Sequence, residues 1–464
     1  MKLHVFASLV LGLLLSSVSF GYSSGNGSVE SPYNIASVSD WKTLMGTPTD
    51  WDNYFILKAE INLAGVTVTP VGNTSTPFTG IFDGNGHAIS AVIINTPASN
   101  YVGLFGNVGG IGQLKNLGLK NINIAGKQYT GGLVGMNYGT ITSCYATGAV
   151  SGSTYVGGLT GSTTNGTITS CYATGAVSGS SNVGGLTGGT LGPIVSCYAT
   201  SNVTGTGDRI GGLVGTNSGP ITFCYATGTV SGISYIGGLA GTSAGVIGSC
   251  YATGNVTGTG DRIGGLAGNT NNPMISCYAT GTVRGSRYVG GLAGYNNNPI
   301  TSCYATGNVT CLNNYAGGLV GYNYSQGQVS GCYSIGTVTG TSYVGGLCGY
   351  TTGQEDEDTG NFWDTETSGI DTSEMGVGKT TAEMQTLSTF TTVGWDFSCA
   401  EDPAEWQMSP ASYPHAAWEV LPPYCGDTEH PYPTGDLNQD CEVDLDDFAI
   451  LAVHWMECTT PASD

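Results

Sequence analysis

The run Cys250-Tyr251-Ala252-Thr253-Gly254-Asn255-Val256-Thr257-Gly258-Thr259-Gly260-Asp261-Arg262-Ile263-Gly264-Gly265-Leu266 decides the fold, because the chain repeats it. The segment from Cys197 to Ser249 aligns without gaps on Cys250 to Ser302, down to a shared Gly-Thr-Gly-Asp-Arg-Ile. Working outward, Cys-Tyr recurs at Cys144, Cys171, Cys197, Cys224, Cys250, Cys277, Cys303 and Cys332. The first six intervals alternate between 27 and 26 residues, and the last is 29. Gly-Gly-Leu recurs in step from Leu133 to Leu347, and Val102-Gly103-Leu104-Phe105-Gly106 is a degenerate opening copy. The alternation implies a larger unit of 53 residues, duplicated as a pair.

Self-similarity at such a period is the signature of a repeat architecture. A unit of 26 or 27 residues accommodates about three short strands and three turns. No stretch carries the 3.6-residue periodicity of an amphipathic helix. One coil cannot bury its own apolar face, so coils must stack. The expected fold is therefore all-β, a parallel β-solenoid (β-helix) of roughly ten coils, on the order of 50 Å long at the parallel strand spacing. A β-propeller is disfavoured, because its blades need about 40 residues or more.

Stacking turns each repeated position into a column. The leucines form an internal one, and the tyrosines of Cys-Tyr form another, inside or on one face. Ile168 and Cys171 lie three apart, so burying both requires a bend or bulge. The cysteine column is expected to hold unbridged thiols acting as small hydrophobes, with some disulfides as the alternative that secretion permits.

The first residues point to a chain exported from the cytoplasm. An apolar run from Val5 to Val18 after Lys2 reads as a signal peptide over residues 1–21, too short for a membrane span. No later stretch approaches transmembrane length. The formal net charge is −21, yet 24 of 32 acidic residues follow Gln354, and Asp208 and Asp261 alone lie between Asp83 and Glu355. No basic face for nucleic acid is evident.

The repeat is flanked by other material. Residues 22–100, with Trp41, Trp51 and Phe55, read as an N-terminal cap, and residues 101–350 as the solenoid. Residues 351–430 read as a tryptophan-rich C-terminal cap. The pair Asp83 and His87 has no evident third catalytic partner. Gly376-Val377-Gly378-Lys379-Thr380-Thr381 imitates a phosphate-binding loop but lacks the first glycine, since Ser373 stands in its place.

One segment has the donor set of a metal site. Asp436, Asn438, Asp440, Asp444 and Asp447 occupy positions 1, 3, 5, 9 and 12 of a twelve-residue loop, and Glu442 at position 7 offers its backbone carbonyl. This oxygen-rich spacing suits calcium. Phe448, Leu451, Ala452 and Trp455 fall on one face of an exiting helix. Cys441 stands where glycine is usual, and it could pair with Cys458, as Cys399 could with Cys425.

The Val/Ile-Gly-Gly-Leu-x-Gly units and Cys-Tyr-Ala-Thr-Gly resemble GLUG-motif repeats of bacterial surface and secreted proteins, some of them adhesins, from about Val102 to Gly349. Residues 434–458 resemble a single type I dockerin repeat, which is EF-hand-like. That resemblance implies calcium ligation by the residues just named. Dockerins carry two such repeats and bind a cohesin partner; the second is absent here.

Two function classes follow. The favoured one is a non-enzymatic extracellular scaffold or adhesin, secreted or held at the cell surface, with glycans or surface polymers as partners. The other is a carbohydrate-active enzyme on a β-helix, such as a polysaccharide lyase or glycosidase, or a dockerin-tethered part of a polysaccharide-degrading assembly. Glycosidases need two carboxylates about 5–9.5 Å apart. Asp208 and Asp261, two coils apart, are the candidates, but each precedes an arginine, which predicts a repeated structural ion pair. A metalloprotease is excluded, since no His-Glu-x-x-His occurs.

Overall fold

In the computed structural model, which describes residues 21–352, 360–397, 405–409 and 411–420, the chain winds into a parallel β-solenoid. One sheet stacks twelve strands, giving about eleven turns. A representative coil runs through strands Thr140–Thr142, Tyr145–Ser151, Thr154–Gly157 and Thr160–Thr163, then begins again at Thr167–Thr169. Each coil thus has four faces rather than the expected three. The additional corner comes from the Gly-Gly-Leu step, which turns the chain between two strands that composition alone reads as one.

Register confirms the columns. Cys-Tyr-Ala is aligned coil on coil, with Tyr145 beside Tyr172 and Tyr198 beside Tyr225. Ile141, Ile168, Ile194 and Ile221 stack inside, and Leu133 through Leu347 stack at the Gly-Gly-Leu corner, all essentially fully buried. Burying such a side chain contributes roughly 1.5–3 kcal/mol, and the rod repeats the gain at each level. The two glycines before each leucine answer to a close backbone approach. A Cβ on Gly212 would lie 1.9 Å from the Gly238 carbonyl oxygen and 2.9 Å from the Ala226 Cβ. The small alanine of Cys-Tyr-Ala and the glycine of Gly-Gly-Leu are therefore two halves of one contact across the rod.

The bend that buries both Ile168 and Cys171 is a left-handed corner. Ser143, Ser170, Ser196, Phe223, Ser249, Ser276 and Ser302 have φ between 49° and 53°, and Gly331 takes the same place with φ 60°. The corner leaves the next N–H without an ordinary ladder partner, and the cysteine supplies one. The Cys144 N–H donates to Cys171 Sγ at 3.3 Å, while Cys171 Sγ–H donates to the Thr169 carbonyl at 3.1 Å. The pattern repeats up the rod until Cys332, whose N–H donates to Asn361 Oδ1 at 3.0 Å. The eight cysteines of the column, Cys144 to Cys332, are buried thiols with no disulfide among them, so the column is unbridged. Burial pushes the thiols of Cys144, Cys197, Cys250 and Cys303 well up, whereas at Cys171, Cys224 and Cys277 burial is outweighed by hydrogen bonds from neighbouring cysteines, which pull the thiol down. Cys399, Cys425, Cys441 and Cys458 lie outside the described residues, as do residues 1–20 and Glu355-Asp356-Glu357-Asp358.

From Cys171 onward the alternation of 26 and 27 has one structural address; the first 27-residue interval instead carries its extra residue between Leu159 and Ile168. Six residues separate Val177 from Val183, but seven separate Val203 from Ile210. Val230 and Ile236 return to six, and Val256 and Ile263 to seven. The added residue sits in the turn Gly-Thr-Gly-Asp-Arg and leaves the ladders on both sides in register.

The solenoid begins before the repeat does. Strands Tyr33–Ile35, Tyr54–Leu57 and Ile81–Asp83 already belong to the twelve-stranded sheet, inside the stretch read as a cap. The motif is lost there because the core is filled differently. Phe55, Phe78, Phe82 and Phe105 occupy the interior, and the helix Val38–Gly46 lays Trp41 over Phe82 and Phe105. At the far end, Phe362–Asp364 pairs with Tyr333–Ser334, and Val377–Lys379 pairs with Phe362–Asp364 in turn. The phosphate-loop mimic is thus a strand of the closing edge.

A left-handed corner costs an L-residue roughly 1–2 kcal/mol, most for a β-branched side chain. Ser249→Val should lower stability by about that amount in thermal unfolding, whereas Ser249→Gly, matching Gly331, should not.

Candidate functional site

Two tyrosine surfaces run along the rod. The first follows the cysteines: Tyr145, Tyr172, Tyr198, Tyr225, Tyr251, Tyr278, Tyr304 and Tyr333 stack with ring centroids 4.8 to 5.0 Å apart and planes within 8°. Its C-terminal half is covered by the chain itself. Trp418 lies against Tyr251 and Tyr278 and donates from Nε1 to the Ser276 carbonyl at 3.2 Å. Tyr304 donates to Glu419 at 2.7 Å, Ser302 to Glu405 at 2.9 Å, and Tyr333 to the Pro414 carbonyl. Tyr413 donates to Asp364 at 2.6 Å, so the same segment is tied to the closing edge.

The second surface lies at another corner of the coil. Tyr101, Tyr129, Tyr155, Asn182, Arg209, Tyr235, Arg262, Tyr288, Tyr315 and Tyr343 share one position, all with φ between 53° and 73°. Near the C-terminal end a second column joins it, since Tyr295, Tyr322 and Tyr350 are in register on the adjoining strand. Rings within each column are nearly parallel, Tyr288 on Tyr315 at 5.0 Å, Tyr315 on Tyr343 at 4.8 Å and Tyr295 on Tyr322 at 5.4 Å, until the last pair, where Tyr350 tilts 37° from Tyr322. Between columns they meet edge to face, 88° for Tyr288 and Tyr295 and 84° for Tyr315 and Tyr322, easing to 76° and 60° where Tyr350 meets Tyr343 and Tyr315. Edge-to-face and offset contacts of this kind add about 0.5–1.5 kcal/mol per pair. The result is a herringbone of six tyrosines, extended by Tyr324 stacked on Tyr295. It is solvent-accessible, with Tyr324 43% and Tyr343 49% exposed.

Arginines border this face. The Arg262 guanidinium lies 4.2 Å from the Tyr295 ring centroid and 5.0 Å from that of Tyr235, and its Nη1 donates to Asn269 Oδ1 at 2.7 Å. Arg287 lies 4.4 Å from Tyr288 and 5.5 Å from Tyr315. Burial raises the Tyr288 and Tyr295 phenols, against the opposing pull of Arg287 and Arg262 respectively, so both remain hydrogen-bond donors at neutral pH.

The anticipated Asp–Arg ion pairs do not form. Among the described residues the ion pairs are Lys115–Asp83 and Lys379–Glu383. At the corner, consecutive side chains diverge: Arg262 turns to the tyrosines, and the Asp208 carboxylate accepts from the Ser234 N–H at 3.2 Å. Ser234 Oγ in turn accepts from the Asp261 N–H at 3.0 Å, so these residues pin the seven-residue turn. Asp83 is held by the Asn85 N–H, Asn116 and Lys115, and His87 is not among its partners. Burial alone would raise its carboxyl, but these hydrogen bonds outweigh that and hold it low. No group of three His, Cys, Asp or Glu able to hold a metal occurs among the described residues. Asp436, Asn438, Asp440, Glu442, Asp444 and Asp447 lie outside them.

The herringbone escaped the sequence reading, although a signal existed. Tyr295, Tyr322 and Tyr350 each follow by three the leucine of a Gly-Gly-Leu, and Tyr288, Tyr315 and Tyr343 each precede such a leucine by four. Attention to Cys-Tyr alone hid these offsets.

The family model of the GLUG motif matches residues 126–151, 152–178, 285–310 and 313–339. The chain therefore carries GLUG repeats, and the coils between the matched stretches keep the same register. Halomucin of Haloquadratum walsbyi is 35% identical over 151 residues, which is 30% of this chain and 2% of that protein. A candidate Gly-rich membrane protein of Evansella cellulosilytica is 33% identical over 128 residues, 26% of this chain and 15% of the relative. The chain thus spans only a small part of the length of either. Among solved structures, a candidate immunoglobulin A1 protease from Bacteroides ovatus aligns with a TM-score of 0.34 and 20% identity, over 86% of this chain and 96% of that one. An IgA1 protease aligns at 0.31 and 18%, over 71% and 21%.

Burial raises the Glu419 carboxyl above its ordinary value, against the hydrogen bonds from Tyr304 and Ala416. The docked segment then holds a proton that an undocked one releases, so docking weakens as pH rises from the ordinary carboxylate value through the raised one. Hydrogen exchange of the 405–420 amides should quicken over that window, and Glu419→Gln should flatten the dependence.

Proposed function

We propose that this chain is a non-enzymatic extracellular rod that holds surface polymers against its tyrosine herringbone. The carrying observation is that face: six stacked tyrosines on a rigid ladder, bordered by arginines and open to solvent. Ordered aromatic rings present large contact area with little entropy left to lose, the property that suits tyrosine to binding surfaces. The coils around it are poor in catalytic groups. From Tyr129 to Thr352 the acidic residues are Asp208 and Asp261; the Asp208 carboxylate accepts a turn hydrogen bond from the Ser234 N–H, and Asp261 enters the turn through its backbone N–H. The relatives' names, a halomucin and a Gly-rich membrane protein, support a place at the cell surface.

Calcium at the C-terminal loop belongs to the same proposal. Asp436, Asn438, Asp440, Asp444 and Asp447 would supply side-chain oxygens, and Glu442 its carbonyl, for a hard cation that takes six to eight. The dockerin-like repeat would then serve as a calcium-stabilised loop and helix, with a cohesin-like partner a further role for it.

On a panel of immobilised glycans and cell-wall polymers, the protein should bind without releasing products. Tyr315→Ala with Tyr322→Ala should weaken that binding about tenfold, some 1.4 kcal/mol; product release, or binding indifferent to both changes, overturns the reading. Calorimetry should show calcium binding that Asp436→Ala abolishes, and equal heats for the two proteins would remove the loop assignment.

A further inference from the structure

The charges of this chain are distributed in a way that its total conceals. Between Lys127 and Lys379 every basic side chain is an arginine: Arg209, Arg262, Arg284 and Arg287. Over that span up to Thr352 they face two acids, Asp208 and Asp261, so a protein of formal net charge −21 has a cationic stretch in its middle. None of the four has a carboxylate within ion-pair distance among the described residues. Arg209, Arg262 and Arg287 lie instead over the rings of Tyr235, Tyr288, Tyr295 and Tyr315. Arg287 is also in ladder register with Asp261, yet its guanidinium is drawn to the rings.

We infer that the arginine-bordered herringbone is a binding surface for a linear polysaccharide bearing carboxylates, a polyuronate. The inference rests on the polymer-binding reading above and narrows it to a charge class. A guanidinium held over an aromatic ring has edge N–H groups with which to meet a carboxylate bidentately, and at Arg262 these are the ones beyond the Nη1 donation to Asn269. The neighbouring phenols offer hydroxyls for sugar hydroxyls, and the columns repeat them once per coil along an extended direction. An extended polymer can therefore follow the rod axis, with its carboxylates meeting arginines at the N-terminal edge of the face and its sugar rings lying over tyrosines beyond it. Four basic groups along this span are too few to neutralise a polyphosphate of similar length, which favours the sparser charge of a uronate.

The test uses the full chain, calcium-free buffer, and polygalacturonate against the same polymer with its carboxyls methyl-esterified. Wild type should bind the free acid at least tenfold more tightly than the ester, with affinity falling as salt rises. Arg262→Gln with Arg287→Gln should bring the free acid down to the level of the ester, with circular dichroism unchanged. Tyr315→Ala with Tyr322→Ala should weaken both polymers. Equal binding of acid and ester, both lost in the tyrosine variant, overturns the polyuronate assignment while leaving the aromatic surface standing. Tighter binding of an inorganic polyphosphate than of polygalacturonate also overturns it. Absence of binding to every polymer removes the surface together with the inference.

Discussion

The parallel spacing between coils, about 4.8 Å from backbone to backbone, is the constraint from which the rest of this molecule follows. Aromatic rings can stack at that distance with a modest tilt, which is why tyrosine tolerates being repeated at two positions of the coil. Thiols at that distance do not bridge without distortion, because a disulfide wants Cβ atoms near 3.8 Å. The cysteines adopt a different relation, each sulfur accepting from the backbone of the coil below. The same spacing forbids a side chain where the glycine of one coil faces a glycine carbonyl of the next, as Gly212 faces Gly238.

A polar column shows how tightly the interior is organised. Asn137, Thr163, Thr190, Asn217, Ser243, Thr270, Asn296 and Asn323 are buried at one turn of successive coils. Buried polar groups are costly unless paired. Thr190 donates to the Gly192 carbonyl at 2.8 Å, and Asn296 donates to Asn323 at 2.8 Å. The column thus satisfies turn backbone that the apolar core cannot, and it ties one coil to the next.

Much of the architecture was legible in the repeat. Period, parallel stacking and the leucine, tyrosine and cysteine columns follow from Cys-Tyr and Gly-Gly-Leu, because stacking makes equal positions neighbours. Local backbone geometry was not legible. Nothing about serine announces a left-handed corner at Ser170, and that corner is what lets Ile168 and Cys171 face inward together. The N-terminal coils were hidden because phenylalanine and tryptophan replace the motif while the backbone pairing continues. The arginines were misassigned for a related reason: adjacency in sequence, Asp261 beside Arg262, means divergence in space at such a corner, whereas Tyr235 and Tyr295, distant along the chain, become neighbours. The calcium loop remains a matter of its own spacing of oxygens.

The seven-residue turn gives the rod two wavelengths. Its backbone repeats once per coil, but the longer turn, and with it Arg209 and Arg262, returns on every second coil. Tyr235 stands between those arginines in the column, at the coil with the shorter turn. A molecule lying along this face would therefore meet a lattice whose pitch is set by hydrogen bonding and, from Arg209 to Arg262, a charge that recurs at twice that pitch before Arg287 adds another one coil further on. The spacing of ionic groups on the surface is thus decoupled from the spacing of strands, and duplication of the two-coil unit lengthens the pattern without changing its phase.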